Sequence, residues 1–227
     1  MLEGGTVRNT YCGVSNMLGL TAWDLVRAGF EGERDGVATV FGHVAAGEFR
    51  PEEMTLELGT RWEVARNYFK RHAACRYTHG ALDAMAAIIA RVGSIEPGQV
   101  RSIEVDTYVW AAQLDSPAAP NMLAAKFSIP FALATFVAHG GATVPAFRGP
   151  ARDAPAIRAL AARVAVNEDP ALTAQLPGLR PARVRVTLAD GVTHAAEVTT
   201  NRGDTEDPYT EAEVREKFRE LASPVYG

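Results

Sequence analysis

Between Val184 and Thr199 the chain reads Val-Arg-Val-Thr-Leu-Ala-Asp-Gly-Val-Thr-His-Ala-Ala-Glu-Val-Thr, with apolar and polar side chains alternating on either side of Asp190-Gly191. An Asp-Gly step supplies the backbone that a tight reversal needs, and period-two alternation turns one face of each arm toward a core. The segment is therefore a β-hairpin, and it commits the chain to an antiparallel sheet. Gln99 to Trp110 adds a strand, because Val100, Ile103 and Val105 recur in a stretch rich in β-branched residues. Arg163 to Val166 reads as a further short strand.

Helical spacing occupies most of the remainder. Val14, Met17, Leu18, Trp23, Leu25 and Val26 share a period of 3.6 between Gly13 and Ala28, and Gly29 follows as a stop. Val37 to Val44 reads as a second short helix inside a looped stretch from Gly32 to Glu53, and Arg61 to Phe69 as a strand or a loop. Thr78 is placed to cap a helix that carries Leu82, Met85, Ala86 and Ile89 on one face and ends at Gly93. After the Pro-rich turn Ser116–Pro120, residues Met122 to Val137 form a long apolar helix that Pro130 must kink or split. Asp153-Ala-Pro155 opens another helix through Ile157, Leu160 and Ala161, and Thr210-Glu-Ala-Glu213 is a capping box ahead of Val214, Phe218 and Leu221. Helices at both ends around a mixed middle make an α+β chain.

Composition bounds the function. A chain of 227 residues with 47% hydrophobic content buries a real core. No apolar run approaches a bilayer span and the N-terminus has no apolar signal core, so the expected setting is the cytoplasm, away from membranes. A net charge of −4, without a basic run interleaved with aromatics, argues against a nucleic-acid partner. Cys12 and Cys75 lack ligand-like spacing, so neither a zinc site nor a disulfide framework is indicated, and both thiols are expected reduced.

Chemistry concentrates in Lys70-Arg-His-Ala-Ala-Cys75-Arg-Tyr-Thr-His79-Gly-Ala-Leu-Asp83, which packs a lysine, a thiol and two histidines directly ahead of a helix. The chain holds three lysines, Lys70, Lys126 and Lys217, against twenty arginines, so Lys70 stands apart from the general supply of positive charge. An ammonium and an imidazole at a helix entrance suit an anionic substrate, since the free N–H groups and the dipole there favour negative charge. Each residue also has an ordinary reading. His79 at a helix start also suits capping or packing, Cys75 is a small hydrophobe or a reactive thiol, and His72 is a solvated loop residue. His43, His139 and His194 read as structural, and Lys126 is either a second anion contact or the polar edge of its helix.

Lys70…Cys75-Arg-Tyr-Thr-His79…Asp83-Ala resembles the Lys-…-Cys-Arg-Tyr-x-His-…-Asp-Ala signature of the MmgE/PrpD family, which includes 2-methylcitrate dehydratase, cis-aconitate decarboxylase and iminodisuccinate epimerase. Gly13 to Gly29 is similar to a helix of that family ending in Gly-Phe, and Lys126-Phe-Ser-Ile-Pro-Phe131 resembles its Phe-Ser-x-Pro-Tyr helix. Asp190-Gly191 and Lys217-Phe218 fall where the family has a late hairpin and a Lys-Phe helix. The order of these pieces covers nearly the whole chain.

The resemblance implies a large helical domain and a smaller α+β lid with the active cleft between them. Residues 1–55 and 206–227 would then be parts of the helical domain, and 56–205 the lid. Family members begin with a long helical region that this chain lacks, so the expectation is a C-terminal portion that a homodimer or a complementary helical chain completes. The implied reaction is cofactor-independent lyase or isomerase work on small di- and tricarboxylates, with dehydration leading and a non-catalytic anion-binding subunit as the competing class. Lys70 would bind the carboxylate or developing enolate, His79 would move the proton, and Arg76, Tyr77 and Lys126 would contact the anion. Cys75 would stand with the catalytic residues, at a position where the decarboxylase-like members carry a histidine; that swap points away from decarboxylation. On this plan Lys70 and His79 lie within about 10 Å of one another, both partly exposed. No three metal ligands should converge. The stripe Met17, Leu18, Leu25 and Val26 should lack partners, which predicts an isolated chain that is inactive and self-associates.

Overall fold

A computed structural model of the protein describes residues 2–45 and 49–227. The chain divides into two compact units, one formed by Val7–Asn67 and the other by Met1–Thr6 together with Tyr68–Gly227.

The smaller unit is built on helix α1 (Tyr11–Arg27), which buries none of its residues and ends at Ala28 with Gly29 at a positive φ. Met17, Leu18, Trp23, Leu25 and Val26 are all exposed. Each such side chain forgoes roughly 1.5–3 kcal/mol of burial. The piece read as a short helix begins at Gly36–Ala38 and continues as a π-type turn over Thr39–Val44. The looped stretch around it runs through 46–48, which lie outside the described residues. Arg61 to Phe69 takes the looped alternative, with one 3-10 turn at Glu63–Arg66.

The larger unit is α+β. Helix α2 (His79–Val92) leads to strand β1 (Val100–Thr107), and the apolar stretch that follows is split into α3 (Met122–Lys126) and α4 (Ile129–His139). Pro130 sits in the first turn of α4, where its missing N–H is no loss, and the Ser128 hydroxyl caps that turn by accepting from Phe131 N at 3.0 Å. Helix α5 (Pro155–Ala161), strand β2 (Val164–Glu168), the hairpin β3 (Ala182–Leu188) and β4 (Thr193–Val198), and helix α6 (Glu211–Tyr226) complete the unit. The capping box at Thr210 and Glu213 is formed in both directions.

The sheet has the order β2-β1-β3-β4, with β2 parallel to β1 and the other pairs antiparallel. Its register aligns Ile103 with Val186 and Val105 with Val184, and all four are fully buried. Alternation along the strands sends Glu104, Arg183, Arg185 and Glu197 to the opposite face, where Arg185 pairs with Glu104 at 2.7 Å and Arg183 with Glu197 at 2.9 Å. Helix α2 lies across β3 and β4, while α4 packs against α5 and β2. The start of α2 approaches β3 so closely that a Cβ on Gly80 would stand 2.9 Å from that of Ala182. Only glycine fits there, and the tight seam fixes the position of the residues that precede α2.

The energetics separate the two faces. Leu82, fully buried beneath the sheet, should lose about 2–5 kcal/mol of stability when cut to alanine. Arg185→Ala on the outer face should cost less than about 1 kcal/mol. Urea denaturation of the two variants checks this, and equal losses would show that the buried face is not where stability resides.

Candidate active site

The residues ahead of α2 form an irregular strap held down by backbone hydrogen bonds at three points. Phe69 N donates to Gly203 O at 3.0 Å, Ala73 N to Ala142 O at 2.8 Å, and Cys75 N to Lys126 O at 2.7 Å. Gly203 has a φ of +97°, and a Cβ there would stand 2.2 Å from the Phe69 carbonyl oxygen, so strap and loop meet only because this residue is glycine. Arg76–Thr78 is then a 3-10 turn that feeds directly into α2. Thr78 does not cap the helix as its sequence position led us to expect. Its backbone is already helical, and its hydroxyl donates to Cys75 O at 2.8 Å.

Below the strap sits Asp83, 8% exposed. Its Oδ1 accepts from His72 Nε2 at 3.1 Å and from Arg71 Nη1 at 3.4 Å, and its Oδ2 accepts from Arg202 N at 3.2 Å. His72 is therefore not a solvated loop residue. It is buried to 3% exposure, and its ring meets those of His79 at 5.1 Å and Phe136 at 5.7 Å edge to face. Burial holds its pKa below the ordinary imidazole value despite Asp83, so it is a neutral ring whose Nε2–H faces the carboxylate.

His79 is buried rather than partly exposed, at 1%. The tight seam at Gly80 and the His72 ring close over it. Burial drives its pKa down to about 2, with His72, Arg76 and Lys70 adding to the effect. The Ala74 backbone acts weakly in the opposite direction, and Nε2 has no hydrogen-bond partner among the described residues. Lys70 Nζ donates to the Ala74 carbonyl at 3.3 Å.

Other cations gather close by. The Lys126 ammonium lies 5.9 Å from the centre of the Phe147 ring, and burial, then the charges of Arg148 and Lys70, hold its pKa below the usual lysine value. Arg76 lies over the Tyr68 ring at 4.8 Å and donates to both Asn201 and Asp204. Cys75 is half-buried beside Lys126. Tyr77 belongs instead to an aromatic group, stacked on Trp110 at 6.2 Å and edge-on to Tyr108 at 5.8 Å. Tyr108 is nearly sealed, and burial raises the pKa of its hydroxyl.

A cavity of about 370 Å³ borders Arg71, His72, Phe136, Arg202 and Lys217, on residues adjacent to Lys70 and His79 rather than on those two. Among the described residues no three His, Cys, Asp or Glu side chains converge as metal ligands, and no helix is long and apolar enough to cross a membrane. Reading the motif for reactive groups missed His72, Asp83 and Asn201. Asp83 was within reach, since its place four residues after His79 puts both on one face of α2.

Residues 72–227 match the MmgE/PrpD C-terminal domain. No curated protein matches the chain.

Two buried neutral imidazoles make stability depend on pH in a defined sense. Above the unfolded value of about 6.5 neither state carries the proton; below it only the unfolded state takes it up, so stability falls as pH drops toward the folded value. The expected slope between pH 6.5 and 5 is up to about 1.4 kcal/mol per pH unit for His79, and His72 acts in the same direction. His79→Gln should reduce it. Urea midpoints that stay level across that window would show that neither ring is held neutral.

Proposed function

The chain belongs to the MmgE/PrpD family, and from that premise we propose that it supplies the lid portion of a cofactor-independent lyase that dehydrates a small hydroxy di- or tricarboxylate such as 2-methylcitrate in the cytoplasm. The observation that carries this reading is the buried Nε2 of His79, which has no partner among the described residues and feels the charges of Arg76 and Lys70.

Dehydration breaks a C–H bond next to a carboxylate, breaks the neighbouring C–O bond, forms a C=C bond and releases water. His79 Nε2 takes the proton. Lys70 holds the carboxylate and stabilises the charge that develops on it, an effect strengthened where water is excluded. Arg76 and Lys126 add positive potential. A pKa near 2, set first by burial and then by His72, Arg76 and Lys70, makes His79 a feeble base in the unliganded chain. An anionic substrate offsets the part due to the cations and so raises the pKa of the ring. The acid that protonates the departing hydroxyl comes from a helical region or partner chain that completes the cleft.

A non-catalytic anion-binding subunit is the second reading, favoured by the sealing of His79 in this unit. The two differ in outcome once the helical region is supplied. For a lyase, the completed protein forms the unsaturated acid, seen as ultraviolet absorbance. In that protein His79→Gln should lower kcat by about 10²–10⁴-fold and Lys70→Ala should weaken the binding of substrate. The chain alone should be inactive and self-associate. Full dehydratase activity from a clean monomer, or a fully active His79→Gln, would overturn the assignment.

A further inference from the structure

Asn201 is 1% exposed and almost completely used. Its Oδ1 accepts from Arg76 Nη1, its backbone N donates to Asp204 Oδ2 at 3.1 Å, and its carbonyl accepts from Asp204 N at 3.0 Å. The amide Nδ2 alone has no partner among the described residues. A guanidinium only donates, so the oxygen of Asn201 must be the atom facing Arg76 and the NH2 must point away from it. A buried amide without an acceptor is costly and therefore rare in folded proteins.

This amide is not on a loose loop. Arg202 N is fixed to Asp83 at 3.2 Å, and its guanidinium is held by Asp207 and Glu213. Gly203 is held to Phe69 and to Asp207 through its carbonyl and its N–H. Arg76 lies three residues ahead of His79 and Asp83 four residues after it, so both anchors of the loop flank the turn that carries the unshared Nε2. The segments joined by Arg76 and Asp83 thus carry two buried polar atoms without partners among the described residues, Nε2 of His79 and Nδ2 of Asn201.

We infer that Asn201 is a substrate-binding residue whose Nδ2 donates to a carboxylate oxygen of the substrate while the adjacent C–H faces His79. The inference rests on the carboxylate-lyase reading and adds to it a neutral donor that neither the motif nor the cation cluster contains. Such a donor selects an oxygen without adding charge beside Arg76, whose own charge is taken up by Asp204. Both residues are covered in the unliganded chain.

The test is a titration of the full, isotope-labelled chain with citrate at millimolar concentrations, followed on the side-chain amide of Asn201 and the ring nitrogens of His79. Both sets of signals should move with one dissociation constant. A response at His79 with none at Asn201 would overturn the inference and leave the carboxylate reading standing; no response at either would remove both. Asn201→Asp keeps the oxygen that faces Arg76 and removes the donor, so citrate affinity should fall at least about tenfold at an unchanged melting temperature. Undiminished affinity in that variant would equally overturn the inference, and should it fail to fold, the titration of the unmodified chain decides.

Discussion

The carboxylate of Asp83 ties three pieces of chain that are distant in sequence. It holds the strap through His72 and Arg71, the loop through Arg202 N, and it belongs itself to α2. Its oxygens accept, so the His72 nitrogen that faces Asp83 is the one that carries the proton. Removing it would leave a buried imidazole and a buried backbone N–H without partners, each costing roughly 1–3 kcal/mol. The geometry of His79 depends on this arrangement, since the His72 ring that Asp83 orients is the one lying edge-on to it.

The rest of the unit serves to hold that constellation still. Buried Ile103, Val105, Val184 and Val186 give the sheet a flat apolar floor, α2 lies on it, and Gly80 sets how near the helix end approaches β3. The strap is then pulled against Gly203, Ala142 and Lys126 by backbone hydrogen bonds, beside the side-chain contacts of Arg71 and His72 with Asp83.

Local chemistry made much of this legible in the sequence. The Asp190-Gly191 reversal, the Thr210–Glu213 capping box, the stops at Gly29 and Gly93 and the break at Pro130 are short-range effects, and the elements follow them. The resemblance of the Lys70–Asp83 motif to a family signature is matched by the family assignment over 72–227. Burial was not legible. His72, flanked by Lys70 and Arg71, has the local character of a solvated loop, and only the fold supplies Asp83 and Phe136 to cover it. Asn201 stands in a polar, turn-like stretch whose sequence signals nothing; its burial comes from Arg76, 125 residues earlier. Thr78 has the right residue type for a cap, but a 3-10 turn precedes α2 and takes its hydroxyl.

On the proposed reading, the charge balance around His79 is what an anion meets. Arg76 and Lys70 add positive charge near the ring, while the carboxylates Asp83 and Asp204 are engaged by His72, Arg71, Arg202 and Arg76. Burial is the larger cause of the lowered pKa of both His79 and Lys126, and neighbouring positive charge adds to it. An incoming carboxylate offsets the second part and not the first. Anion binding and proton affinity at His79 are thus coupled by linkage: a ligand that favours the protonated ring must also bind more tightly as the ring takes up its proton. On the proposed reading, the substrate itself turns a buried, nearly inert imidazole into a usable base.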